Sequence, residues 1–390
     1  MIHSIKPKFE VPFNGDMALL DVISELSEHI EMVYGRAEDG YPQGRNTRKL
    51  KPISLDEIEK VASFFQERGI RFNYILNGNC HGNHEFEQVY RQKFVYFIKG
   101  IKERGINIIT LGNPFLIELV KQEVPGMMIA ASVLLEVDNL ARLKQISRTG
   151  IDYICLSKTI LKNFGALENV ADNMPPNVRP ILLANDPCLQ SCAYTQYHNN
   201  LLSHFSTEGG EYVNYCRLHC TQDFASDPRK VISASFIRPE DIKEYVSLGY
   251  ELFKLCDRKQ TTTWISNMLQ AYVLGKYEGN LSDLMAPWSN VKGKYSLPHH
   301  ISEEEVLMGG FDNIRPNLRF SPKINNRAMD DYLSFWKENK PQGCENEDCD
   351  ACNYCLHVAK RAYTSEAGWN DTIIKNLDVA QKTARRIDSK

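Results

Sequence analysis

The chain has 390 residues, with 46 Lys and Arg against 49 Asp and Glu, a formal charge of -3 and a sequence pI near 6.4. A hydrophobic share of 43% suits a folded chain with a sizeable core, and the near-neutral balance disfavours a nucleic-acid binder, which presents a strongly basic face. No apolar run is long enough to span a bilayer, and the start MIHSIKPKFEVPF lacks the apolar stretch and cleavage site of a secretory signal, so the expected location is cytoplasmic.

Short apolar runs and amphipathic stretches alternate from the start. Strands are expected at 9–13, 30–35, 71–78, 106–112, 126–132, 152–157, 179–185 and 251–256. Between them, SLDEIEKVASFFQERG (54–69) combines a Ser N-cap, an acidic first turn, helical apolar spacing and a Gly stop. KFVYFIKGIKERG, VDNLARLKQISRTG and RPEDIKEYVSLGY read alike. About eight strand–helix units point to a (β/α)8 barrel, with a doubly wound open sheet as the alternative. No GxGxxG follows the first strand, so a dinucleotide fold has no support. Residues 1–283 therefore read as a barrel with a cysteine-bearing insertion at 186–250, and 257–283 as helical. Residues 284–343, with five prolines, read as irregular, and 284–390 as an irregular segment plus a cysteine-rich C-terminal extension.

Eleven cysteines in a reducing compartment are better explained as metal ligands or catalytic groups than as disulfides. One group is Cys188, Cys192, Cys216 and Cys220, with Cys256 at the end of the last expected strand. In a barrel, Cys188 and Cys256 would follow neighbouring strands at the C-terminal rim. Five thiols compete for four places, and the pairing predicted is Cys188 and Cys192 with Cys216 or Cys220 and with Cys256. The second group, Cys344, Cys349, Cys352 and Cys355, packs C-x4-C-x2-C-x2-C into twelve residues, and a helix is expected to start at its last cysteine. Four thiolates at one site suit a 4Fe–4S cluster, and zinc remains the alternative at the C-terminal group. One cluster is expected, and a second if the tail group also binds one. NDPCLQSCAYTQ resembles the start of a radical-SAM CxxxCxxC loop, but Thr195 stands where the third cysteine belongs. Cys155 reads as a core residue, and Cys80 with His81 and His84 as either a turn or a substrate-facing loop.

The residues Arg238-Pro239-Glu240-Asp241-Ile242, Leu248-Gly249 and Phe253-Lys254-Leu255-Cys256-Asp257-Arg258 resemble the end of the barrel in the collagenase-like peptidase family U32. Lys254 and Arg258 match that family's pattern, whereas Cys256 stands in place of a glutamate and Asp257 of a glycine. The resemblance is specific over about 185–280 and identifies a divergent member. It implies a barrel bearing a 4Fe–4S cluster and oxygen-independent hydroxylation or a related oxidative modification. It also implies a related partner chain. The substrate expected is a small molecule or peptide, with an electron donor protein as a second partner. His198, Lys254, Asp257 and Arg258 are the candidate catalytic residues, and Cys188, Cys192, Cys216, Cys220 and Cys256 the cluster-binding set. A zinc-stabilised binding scaffold is the alternative. A peptidase finds no support in HExxH, GxSxG or a lone activated thiol.

Overall fold

The computed structural model describes residues 6–44, 50–208, 215–288, 298–339, 341–344 and 348–386. Eight parallel strands close into a barrel in sequential order: β1 (Lys8–Pro12), β2 (Ile30–Gly35), β3 (Arg71–Leu76), β4 (Ile108–Leu111), β5 (Met128–Ala131), β6 (Tyr153–Cys155), β7 (Arg179–Leu183) and β8 (Leu252–Lys254). Each expected strand is present. Parallel strands need a crossover, and helices occupy those crossovers around the barrel. The helix Leu55–Gln66 starts at Ser54, whose side chain accepts from Glu57 N while Glu57 accepts from Ser54 N at 2.8 Å. Its buried stripe of Ile58, Val61, Ala62 and Phe65 faces the sheet.

Met32, Ile108, Ala130, Tyr153, Ile181, Leu183 and Leu252 fill the barrel interior. A polar string crosses the same space. Lys254 Nζ donates to Glu10 Oε1 at 2.8 Å, Asn73 donates to the same oxygen at 2.8 Å, and Thr110 Oγ1 donates to Asn73 at 2.9 Å. At the opposite end, Glu31 pairs with Arg71 and Arg179, so ion pairs close the floor. That assigns stability to the N-terminal end and leaves the C-terminal rim for chemistry.

The insertion 186–250 is helical in its described parts, with Thr195–Glu208, Tyr215–Ser226 and Pro228–Ser233. The expected helix 257–283 is confined to Thr262–Leu274, because Gly275 turns left-handed (φ +62) and ends it. The segment read as irregular contains a helix, Glu303–Ile314, started by a Ser302–Glu305 capping box and kinked at Gly310. Its residues 289–297 lie outside the described ones. The tail shares the barrel's core: Met285, Trp288, Tyr332, Trp336 and Leu377 belong to the same buried cluster as Phe9 and Phe253. The helix Tyr354–Ala362 packs on Pro228–Ser233, and Trp369–Ala384 on Tyr215–Ser226. Ala286 reaches the interior cluster; its N–H donates to Asn185 O at 3.0 Å and its carbonyl accepts from Gln260 at 3.1 Å.

Candidate metal centres

The turn after β6, Lys158–Lys162, lies between two groups of thiols. Its first residue, Lys158, donates from Nζ to Cys188 Sγ at 2.9 Å and to Asp186 Oδ2 at 3.1 Å. Cys188 follows β7 in an irregular loop with Cys192. Cys216 and Cys220 stand four apart on the helix Tyr215–Ser226, a spacing that puts both on one face. Cys220 lies within electrostatic reach of Cys188 and Cys192, and Cys216 of Cys192. Burial pushes Cys220 up to about 12 and Cys216 up to about 11. It raises Cys188 too, against the pull of the Lys158 ammonium.

Thr195 is the first residue of the helix Thr195–Glu208, and its hydroxyl donates to Cys192 O at 2.9 Å. A helix start occupies the third radical-SAM place, and the remaining thiols arrive from the next helix. Aromatic rings meet on the same helix and loop: Tyr194 stacks on His219 at 5.4 Å and Tyr215 meets His219 edge-on at 4.6 Å. His219 Nε2 is buried without a hydrogen-bond partner.

The last residue of the same turn, Lys162, is fully buried. Its Nζ donates to Ile232 O and Ala234 O, each at 2.7 Å. The rings of Trp336, Phe236 and Tyr332 surround it, with centroids 4.7, 4.9 and 5.3 Å from the nitrogen. Beyond the cage lie Cys344 and Cys355. Trp336 Nε1 donates to Cys344 Sγ at 3.1 Å. Cys349 and Cys352 sit on the short helix Cys349–Cys352, and Asn353, at φ +55, breaks it before the helix Tyr354–Ala362 begins. That second helix starts at Tyr354, one residue before the expected Cys355. Cys355 is within electrostatic reach of Cys344, Cys349 and Cys352, and burial pushes it up to about 12. Burial also pulls Lys162 down to about 7, against the influence of Cys355 and Cys344.

At the rim Cys220 is thus within electrostatic reach of Cys188 and Cys192, and Cys216 of Cys192, while in the tail Cys355 is within reach of Cys344, Cys349 and Cys352. Among the described residues, no three His, Cys, Asp or Glu are drawn together tightly enough to grip a single metal ion. The donor sets are nevertheless soft and complete in number, and each has a hydrogen-bond donor already on a sulfur. Cys188, Cys192, Cys216 and Cys220 would hold one centre, and Cys344, Cys349, Cys352 and Cys355 the other.

Cys256 is placed differently from the loop thiols. It follows β8 at the rim, as expected, but belongs to the barrel-interior cluster with Cys155, with the Tyr34 hydroxyl 3.6 Å from its sulfur. The candidate catalytic residues also have separate surroundings. Lys254 is engaged with Glu10 and lies over the Tyr34 ring at 3.9 Å. Arg258 is buried at the mouth and reaches toward Gln43 Oε1 at 3.5 Å. Asp257 accepts from Lys259 N at 3.2 Å, and His198 sits in the first turn of Thr195–Glu208. Asn185, read as a strand-end residue, clasps Cys256 from both sides of its peptide, each bond 2.6 Å long.

Residues 28–178 match peptidase family U32. An uncharacterized protease of Methanocaldococcus jannaschii is 23% identical over 364 residues, covering 91% of this chain and 98% of its own. The chain thus resembles peptidase family U32 over residues 28–178, within its barrel. A solved U32 peptidase covers 66% of this chain and 95% of its own at 14% identity, with a TM-score of 0.48. A chitinase of Rhizomucor miehei covers 69% of this chain and all of its own at 10% identity, with a TM-score of 0.37. The U32 match falls on β2 to β6, whereas the sequence resemblance had been specific over 185–280. The match ends before Cys188, so the family is recognised on the scaffold and not on the thiols.

Sequence reasoning missed the residues that line the barrel's mouth and wall. Arg36, after β2, is buried and paired with Asp39, which also accepts from the Tyr74 hydroxyl at 2.6 Å. Burial, with Arg258 adding to it, lowers Arg36 to about 9. An arginine directly after an apolar strand was the available signal. Lys158 and Lys162 gave none, since KTILK reads as an ordinary amphipathic turn.

Proposed function

We propose that this chain is an iron–sulfur redox enzyme carrying two four-cysteine centres, one at the barrel rim and one in the tail. The observation that carries this reading is that Cys188 and Cys192 on the loop after β7 and Cys216 and Cys220 on one face of a helix lie within electrostatic reach of one another at the C-terminal rim, where barrel enzymes build their sites. The orphaned His219 Nε2 beside them supports a bound group. A 4Fe–4S centre supplies one-electron chemistry there. Oxidative hydroxylation of a substrate C–H bond with water as oxygen source releases two protons and two electrons, so in this reaction the partner acts as an electron acceptor and not as the electron donor expected from the sequence. The chain's own residues do the rest. Arg258, buried at the mouth, favours a substrate with an acidic group, while Arg36 is held by Asp39 in the wall. Asn185 fixes the rim by holding the Cys256 peptide and Leu284 O. The tail centre, nearer the surface at exposed Cys349, is where the partner exchanges electrons.

Cysteine variants of protein purified without oxygen test this. Cys188→Ala and Cys220→Ala each remove one EPR signal and about half the iron, and Cys355→Ala removes the other half. Iron content unchanged by Cys188→Ala and Cys220→Ala contradicts the assignment of the rim centre.

A further inference from the structure

We propose that the turn Lys158–Lys162 supplies a built-in counter-cation to each cysteine centre, Lys158 to the rim and Lys162 to the tail, and holds the two centres on opposite sides of one short wall. This rests on the reading that the cysteine groups hold metal centres.

The seat of Lys162 is made for a positive charge. Two backbone carbonyls present their negative ends to Nζ, and three aromatic rings turn toward it. Ring faces attract cations most strongly where water is excluded. Yet no carboxylate lies within ion-pair distance of this nitrogen among the described residues. A buried cation without a counter-charge is costly. The groups that act on it most strongly are Cys355 and Cys344, with the Asp241 carboxylate, already paired with Arg238, after them. Four thiolates around a metal centre keep a net negative charge, whether the centre is zinc or a 4Fe–4S cluster. Filling the tail site therefore supplies the anion that the lysine lacks, and the lysine supplies the cation that the thiolates lack.

The rim site repeats the arrangement with a different seat. Lys158 touches Cys188 Sγ directly and shares its charge with Asp186. The two sites also share a strip of backbone. Ser235 N donates to Cys188 O at 2.9 Å, while the adjoining Ala234 O accepts from Lys162 at 2.7 Å. A second tie joins the Cys188 loop to the turn, from Gln190 Nε2 to Thr159 O at 3.0 Å. Two hydrogen bonds and one peptide group thus connect the Cys188 backbone to the Lys162 ammonium. Both lysines act through the metal centres and are positioning residues, not catalytic ones.

The test uses Lys162→Gln in the full chain. Glutamine keeps N–H donors for the two carbonyls and removes the charge. Metal release from each site to a chelator is followed together with an EPR-monitored redox titration. Lys162→Gln is expected to speed release from the tail at least tenfold and to disfavour its reduction at least tenfold, which is about 59 mV for one electron. The rim centre stays as it was. Lys162→Arg restores the tail toward wild type. If Lys162→Gln folds poorly, Lys158→Gln makes the same test at a partly exposed position, with the effects falling on the rim centre. Unchanged release and potential in the folded variants overturn the inference. Zinc in place of iron removes the redox reading above, but the release measurement still decides this one. A tail that binds no metal overturns both.

Discussion

The rim and tail cysteine groups draw on the same turn but are assembled in opposite ways. The rim group collects thiols from positions 188 to 220, across a loop and a helix, and its lysine is shared with an acid. The tail group takes its four from one short stretch, and its lysine sits among rings without an ion-paired acid. The tail is therefore locally specified but globally seated: its cysteines are close in sequence, while Phe236 and Lys162 come from the barrel side. The rim is globally specified, since only barrel closure brings β6, β7 and the inserted helices together. Loss of the tail's aromatic seat should consequently damage one site and spare the other.

Trp336→Ala breaks the comparison most severely. Trp336 is 1% exposed, packs against Tyr354 and Tyr332, and donates to Cys344. Its truncation is expected to cost about 3–5 kcal/mol in urea denaturation and to empty the tail site while the rim keeps its metal. Asp186→Asn acts on the other side. It leaves the Lys158 charge less compensated beside Cys188 and is expected to cost about 3 kcal/mol at most, with metal loss confined to the rim.

A pH series separates the metal-free protein from the loaded one. Burial raises Cys355 from 9.0 to about 12 in the folded chain, so the folded state favours the protonated thiol. That contribution is fully present below about pH 9 and is lost as pH climbs toward 12. Metal-free protein should lose stability over that window, and loaded protein, whose thiols are already deprotonated, should lose less. Loading at neutral pH should release protons, measurable in weak buffer. The smallest expected effect belongs to Cys155→Ala. Cys155 is buried inside the barrel, so its loss is expected to cost about 1 kcal/mol and to leave both metal contents unchanged.

The barrel was legible because buried parallel strands read as apolar runs: YIC and RPILL announce β6 and β7 by themselves. The tail group was legible by spacing alone. The rim group was legible as a set of candidate thiols, but not the interior placement of Cys256, which depends on the twist and closure of β8. The Glu10–Lys254–Asn73–Thr110 string was hidden for a similar reason. Its members lie on β1, β8, β3 and β4, and only the barrel's register makes them neighbours. Lys162 was the least visible. A lysine in KTILK is buried only because the tail folds back and brings Tyr332 and Trp336 over it. The helix Glu303–Ile314 was obscured by the prolines around it, although Ser302 and Glu305 spelled its capping box.

The most direct measurement is the iron, sulfide and zinc content of protein purified without oxygen, with visible and EPR spectra on the same sample. About eight irons per chain, matched by sulfide, is the result that two four-cysteine clusters predict. Zinc without iron would contradict the redox reading and leave a metal-pinned barrel in its place.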